Sequence, residues 1–267
     1  ENMSNIPLLP FHNWLVDLRR ELHQIPELGY QEEKTAAKIC RVLDEMGIPY
    51  QTGVGKTGVV ARVKAQKEGP VVAFRADMDA LPLEESNDVP YRSLHPGFMH
   101  ACGHDGHVTV ALGIIRHLQE ENWPRNGCGE ILFFFQPAEE GGAGAKAMLD
   151  TGYFDSEPVT AIFAGHMGPE LPVGKIELIS GTAHAATNTL RIRIKGKGGH
   201  GASPHLCIDP IVAGAHLVTQ LQVFASRNLA PLDSAVISIC KFQAGTAENI
   251  IPEEAHLLGT LRTLTQE

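Results

Sequence analysis

The sequence predicts an α/β protein: a mixed, mostly parallel sheet with helices on both faces, followed by a small α+β domain. Three observations lead there. Short apolar runs alternate with amphipathic helical stretches over residues 14–164, the order that builds parallel pairing through helical crossovers. Several of those runs are apolar throughout, as strands covered on both faces are. After about Gly181 the pattern changes to apolar residues alternating with charged ones, which marks a sheet with one wet face.

Element by element, Trp14, Leu15, Leu18 and Leu22 recur at helical spacing until Pro26 and Gly29 end the run, predicting a first helix over 14–25. A second fits 32–46, with Ala36, Ile39, Cys40, Leu43 and Met46 on one stripe and Gly47 as its C-terminal cap. Strands are expected at 59–63 and 71–74, bounded by Gly58 and by Gly69-Pro70. A helix over 104–118, a doubly covered strand over 131–135, a short helix over 143–149 and another buried strand over 159–164 follow. Beyond Gly181, Leu190, Ile192 and Ile194 alternate with Arg191, Arg193 and Lys195. A helix from Asp209 to about Phe224 and strands over 235–242 and 255–261 complete an antiparallel sheet with a helix on one face. The expected division is therefore 1–181 and 182–267.

Composition narrows the function classes. With 31 Asp and Glu against 22 Lys and Arg, a net charge of -9, the chain repels polyphosphate, so nucleic acid is a poor partner. No stretch approaches the roughly 18 apolar residues of a membrane span. The first residues lack the basic and apolar regions of a secretory signal, and the expected compartment is the cytoplasm. Cys40, Cys102, Cys128, Cys207 and Cys240 follow no framework spacing and read as reduced thiols.

Metal-binding side chains are concentrated in RADMDALP (75–82), MHACGHDGH (99–107), QPAEEGG (136–142) and GHMGP (165–169). All but the second lie just past a predicted strand, at the carboxyl edge where loops of a doubly wound sheet converge. Cys102 and His104 sit two apart in a glycine-containing turn before a helix, so both can reach one ion. His100 and His107 read better as supporting or packing residues. Adjacent glutamates are ordinarily solvated, but Glu139 and Glu140 are delivered by an apolar strand, and two carboxylates held together repel unless a cation or a shared proton relieves them. Neighbours point different ways, so one can bind metal while the other takes a proton. His166 is the remaining candidate ligand, and Asp77 or Asp79 can orient a ligand histidine. Thiolate, imidazole and carboxylate together favour one or two transition ions, zinc, manganese, cobalt or nickel, over magnesium or calcium. Carboxylate ligands beside a free base describe a hydrolytic site and not a structural zinc knuckle. Gly55-Lys56-Thr57 imitates the end of a phosphate loop but precedes a strand, so it reads as a turn. His200, in the glycine-rich GKGGHGASPH (196–205), can reach toward a ligand.

Taken in order, RADMDALP, MHACGHDGH, QPAEEGGAGAKAM, GKGGHGASPH with IDPI, and NIIPEEAHLLGTLR make the chain resemble the amidohydrolase branch of the aminoacylase and carboxypeptidase G type of metallopeptidases. That group includes hippurate hydrolases and indoleacetyl-amino-acid hydrolases. The resemblance implies metal-dependent hydrolysis of N-acyl amino acids, with Cys102, His104, Glu140 and His166 at metal-ligand positions and Glu139 at the general base. It also implies that 1–181 is a catalytic domain and 182–267 a lid and homodimerisation domain, with His200 and Asn249 near the substrate. Family members continue further and carry a last histidine ligand near their C-terminus, so the lid domain is expected to be incomplete here. A dipeptidase or carboxypeptidase with the same centre, or a catalytically silent metal-binding fragment, are the alternatives.

Overall fold

Helices form at the start of the chain where apolar stripes find a sheet to cover: α1 (His12–His23) buries Leu18 and Leu22, and α2 (Glu33–Glu45) buries Ile39, Val42 and Leu43. Both fall within a residue or two of the expected bounds. The computed structural model describes residues 9–182, 185–230 and 233–264. Its contacts divide the chain into two compact units, one running up to Lys175 and the other starting at Ile176.

The first unit continues with β1 (Tyr50–Val54), β2 (Gly58–Lys64), β3 (Lys67–Asp77), α3 (His104–Glu120), α4 (Trp123–Asn126), β4 (Cys128–Gln136), α5 (Gly144–Leu149) and β5 (Val159–Ala164). The sheet order is β1-β2-β4-β3-β5. β3 runs parallel to both β4 and β5, while β1, β2 and β4 pair antiparallel in succession. Successive residues of β4 face opposite ways. Phe133 and Phe135 join Leu22, Leu43, Leu112 and Ile115 in the larger core under α1, α2 and α3. Leu132 and Phe134 join Val60, Ala73 and Met148 of α5 on the other face. Helices thus cover both faces, as expected for this α/β fold.

Two differences stand out. β1 was not foreseen, because YQTGV has no apolar run; it forms as the outer arm of a hairpin whose turn is Gly55-Lys56-Thr57, with Gly55 and Lys56 at positive φ of 67° and 79°. β5, expected to be buried, is an edge strand with Ile162 60% and Phe163 59% exposed. An apolar run reads the same at the centre of a sheet and at its rim, so the sequence signal could not distinguish them.

The second unit contains β6 (Ala186–Lys195), β7 (Gly199–His200), α6 (Pro210–Val223), β8 (Ala235–Ala244), β9 (Ile250–Ile251) and β10 (Glu254–Thr263). β10 pairs antiparallel with β6 and β8, and α6 lies against these three strands. Asp209 starts α6, accepting hydrogen bonds from the Ile211 and Val212 N–H groups on Oδ1. Gly214 backs so closely on the Phe242 ring that a Cβ would stand 2.6 Å from it. No described helix is long and apolar enough to cross a membrane.

A buried ionic clamp ties the first unit's helices to the loop before α3. His23 Nδ1 lies 2.7 Å from Asp105 Oδ2, and His23 Nε2 lies 3.1 Å from Glu85 Oε1. A neutral imidazole has one N–H and can serve one of two carboxylates, so this geometry selects the imidazolium. The hydrogen bond to Asp105 raises the His23 pKa; burial opposes it, and Glu85 adds to it. Burial alone would raise both carboxyls, but the His23 hydrogen bonds help to hold Asp105 and Glu85 below their usual range. Arg19 reaches Asp105 at 2.9 Å, and the Ser93 N–H donates to Glu85 at 2.6 Å. A raised imidazole stabilises fully below its unfolded value of 6.5 and loses this as pH rises through its folded value; the depressed carboxyls stabilise fully above 3.8 and 4.5 and lose this as pH falls. His23→Leu is therefore expected to lose on the order of 3 kcal/mol in urea denaturation near pH 5.5, a gap that narrows toward pH 9. A gap independent of pH would remove the imidazolium from the clamp.

Candidate metal centre

Parallel pairing brings the carboxyl ends of β3, β4 and β5 to one edge, with Asp77 opposite Gln136 and Arg75 opposite Ala164. The three motif loops that follow these strands therefore emerge side by side. α3 brings the fourth segment to the same edge, its first residue being His104. Gly103 precedes it at φ +83°, and a Cβ there would also stand 3.2 Å from the Met167 side chain.

Ligand-type atoms converge in overlapping groups. Cys102, His104 and His166 each offer one atom within 4.8 Å of the others, as do His104, Glu139 and Glu140. Cys102 Sγ is 3.4 Å from His166 Nε2, and His104 Nε2 is 3.9 Å from Glu140 Oε1. The two imidazoles are prepared alike. His104 Nδ1 lies 2.8 Å from the Asp79 carbonyl and His166 Nδ1 lies 2.9 Å from the Met167 carbonyl. A carbonyl only accepts, so each ring carries its proton on Nδ1 and turns the Nε2 lone pair toward the cluster, as metal-binding histidines do. Among the described residues His104 Nε2 is buried without a hydrogen-bond partner.

The electrostatics also suit a cation. Burial first, and then the hydrogen bond and charge of Glu140, push the Cys102 thiol up to about 12. Burial would lower His104, but Asp79 and Asp77 carry its pKa above the ordinary value. The pocket holds positive charge where His104 Nε2 points and penalises a bare thiolate; a divalent ion relieves both. The donor set fits a transition-metal site.

Asp77 and Asp79 are both buried beside this cluster. Asp79 accepts the Glu139 N–H on Oδ1 at 3.0 Å and the Glu140 N–H on Oδ2 at 2.9 Å, so it aligns the glutamate turn as well as His104. Burial would raise its pKa, but the His104 imidazole first, 3.3 Å from Oδ1, and then these two N–H groups lower it instead. Asp77 accepts from His107 Nδ1 at 2.5 Å and sits 2.6 Å from the Arg75 guanidinium. The Met167 N–H donates to His107 Nε2 at 2.9 Å. Asp77, His104 and His107 could also share an ion by distance, but both His107 nitrogens are committed to these bonds. His107 therefore secures the residue after His166. His100 is buried with both nitrogens unpartnered among the described residues, and burial lowers its pKa to about 4.

His200 and Asn249 belong to the second unit and meet there: His200 pairs with Ile250 across the β7–β9 ribbon, and the Gly201 N–H donates to the Asn249 carbonyl at 2.7 Å. The Ala202 N–H donates to His200 Nδ1 at 3.1 Å, which leaves the ring proton on Nε2. Glu32 is a residue that the sequence reading passed over. Its carboxylate, fully buried, accepts the Ala138 N–H immediately before Glu139. An acidic residue at the start of a helix carries no spacing signal for such a role.

Comparison with known proteins identifies the family. The profile of peptidase family M20/M25/M40 matches residues 73–254. An N-acetyldiaminopimelate deacetylase of Bacillus velezensis is 48% identical over 95% of this chain and 67% of its own length. An N-acetylcysteine deacetylase of Bacillus subtilis is 44% identical over 96% of this chain and 67% of its own. A crystal structure of a Bacillus subtilis protein, described as a dinuclear metal binding peptidase from the M20 family, superposes with a TM-score of 0.78 at 40% identity, covering 96% of this chain and 65% of that one. The chain spans about two thirds of the length of these relatives. By the extent of the profile match and these identities, the chain belongs to peptidase family M20/M25/M40.

Proposed function

We propose that the protein hydrolyses the amide bond of N-acyl amino acids, N-acetyl amino acids foremost, with the help of one or two divalent transition ions. The observation that carries this reading is the pair of imidazoles, His104 and His166, each with Nδ1 held by a carbonyl and Nε2 turned toward Cys102 and Glu140, while a second carboxylate, Glu139, stands beside them. The deacetylase names of the relatives support the acetyl group.

Cys102, His104, Glu140 and His166 would hold the metal, with Asp77 and Asp79 fixing the loops that carry them. A bound divalent ion lowers the pKa of water toward about 7 and polarises a carbonyl oxygen. Glu139 takes one proton from the attacking water and returns it to the leaving nitrogen, so the acyl carbon gains the water oxygen and the amino acid departs as a free amine. In the second unit His200 presents an Nε2–H suited to an oxyanion, and Asn249 stands beside it; both are assigned to substrate binding. Residues 1–181 would then be the catalytic domain and 182–267 a lid through which a cytoplasmic homodimer forms.

In the full-length protein Glu139→Gln is expected to keep its metal content and to lose about 100-fold or more in turnover on N-acetyl amino acids. Turnover at the wild-type rate would remove Glu139 from the role. Chelation should abolish hydrolysis and readdition of a transition ion restore it. Dipeptides turned over faster than N-acetyl amino acids would overturn the substrate assignment.

A further inference from the structure

The glutamate turn rests on a second carboxylate besides Asp79. Glu32 occupies the N-cap position of α2 yet caps nothing in its own helix among the described residues. Its carboxylate turns away and reaches 106 positions along the chain, Oε1 accepting the Ala138 N–H at 2.8 Å while Oε2 accepts the Thr57 hydroxyl at 2.6 Å. Ala138 is buried and left-handed at φ +48°, a conformation that L residues rarely adopt without being held.

The residues just before Glu32 press on the same turn. Gly29 backs on Ala138 so closely that a Cβ would stand 2.9 Å from the Ala138 Cβ. The Tyr30 hydroxyl donates to the Gly142 carbonyl at 2.6 Å. Together with Asp79, Glu32 therefore collects three consecutive N–H groups, those of Ala138, Glu139 and Glu140, on two buried carboxylates.

We propose that Glu32 is a positioning residue for the hydrolysis, which holds the left-handed Ala138 turn and so aims the Glu139 carboxylate. The inference rests on reading Glu139 as the proton carrier. Thr57 fixes the outer oxygen of Glu32, leaving the inner one directed at Ala138. Glu32 touches neither substrate nor ion; it acts only through the backbone N–H that precedes the base.

The test compares Glu32→Asp, Glu32→Gln and Thr57→Val with wild type and Glu139→Gln in the full-length protein. The readouts are kcat, KM, metal content and amide exchange over residues 133–147. Glu32→Asp withdraws the oxygen by one methylene and should lower kcat about tenfold or more, as small misplacements of catalytic groups do, with KM within about twofold. Its metal content should hold, and exchange should rise in 133–147 alone. Glu32→Gln, whose amide oxygen can still accept the Ala138 N–H, should recover most of that loss. Thr57→Val should show a weaker shift in the same direction and serves as the test if Glu32→Asp does not fold. A metal-loaded Glu32→Asp enzyme with wild-type kcat, or a loss confined to KM or metal content, would overturn the proposal. Normal turnover in Glu139→Gln would instead overturn the reading of the base, while the exchange pattern would still report on Glu32.

Discussion

Asp79 receives the backbone N–H groups of Glu139 and Glu140 on its two carboxylate oxygens while its own carbonyl takes the Nδ1 proton of His104. One buried residue thereby fixes a turn from the end of β4, the first residue of α3 and the end of β3 in a common frame. The cluster depends on that frame because none of its members is adjacent in sequence to all the others. A carboxylate beside an imidazole and donated two backbone N–H groups is favoured in its charged form, which is why the Asp79 pKa lies below the usual carboxylate value despite burial.

Around that frame the same device recurs. His107 joins Asp77 to the Met167 N–H, and Glu32 joins Thr57 to the Ala138 N–H. His107 and Glu32 are thus each tied at both ends, as a low-dielectric interior favours for buried polar side chains. The consequence for chemistry is preorganisation: the two imidazoles and the glutamate turn are each held through backbone groups.

Much of this was legible in the sequence, for identifiable reasons. Cys102 and His104 sit in a dense motif at the start of a helix, Glu139, Glu140 and His166 sit in motifs just past apolar runs, and a run such as Ile131–Phe135 announces both a strand and the edge at which it ends. The first two helices were visible through 3.6-residue periodicity, while the four-residue α4 was not foreseen, being too short to show a period; the antiparallel sheet of the second unit was visible through alternation of apolar residues with Arg191, Arg193 and Lys195. β1 was invisible because its five residues are mostly polar and its pairing is supplied by the hairpin turn. The exposure of β5 was invisible because strand order in a sheet is a long-range property. Glu32 was passed over as a site residue for the same reason, its Ala138 partner lying 106 positions away, beyond any local pattern; His107 was read as a supporting residue, but its partners, 30 and 60 positions away, were not legible.

The register between β3 and β4 also limits how this chain can drift. Sliding either strand by one residue would move Asp79 about 3.3 Å along the sheet and turn its neighbours to the opposite face, undoing the turn it holds. Insertions or deletions inside these strands are therefore closed to neutral change. The stretch between them and α3 is different, since Leu81 and Met99 exchange backbone hydrogen bonds at 3.0 and 3.1 Å and staple its two ends together. Between Glu85 and Ser93, which both serve the His23 clamp, the chain can lengthen or shorten without carrying the strand ends with it.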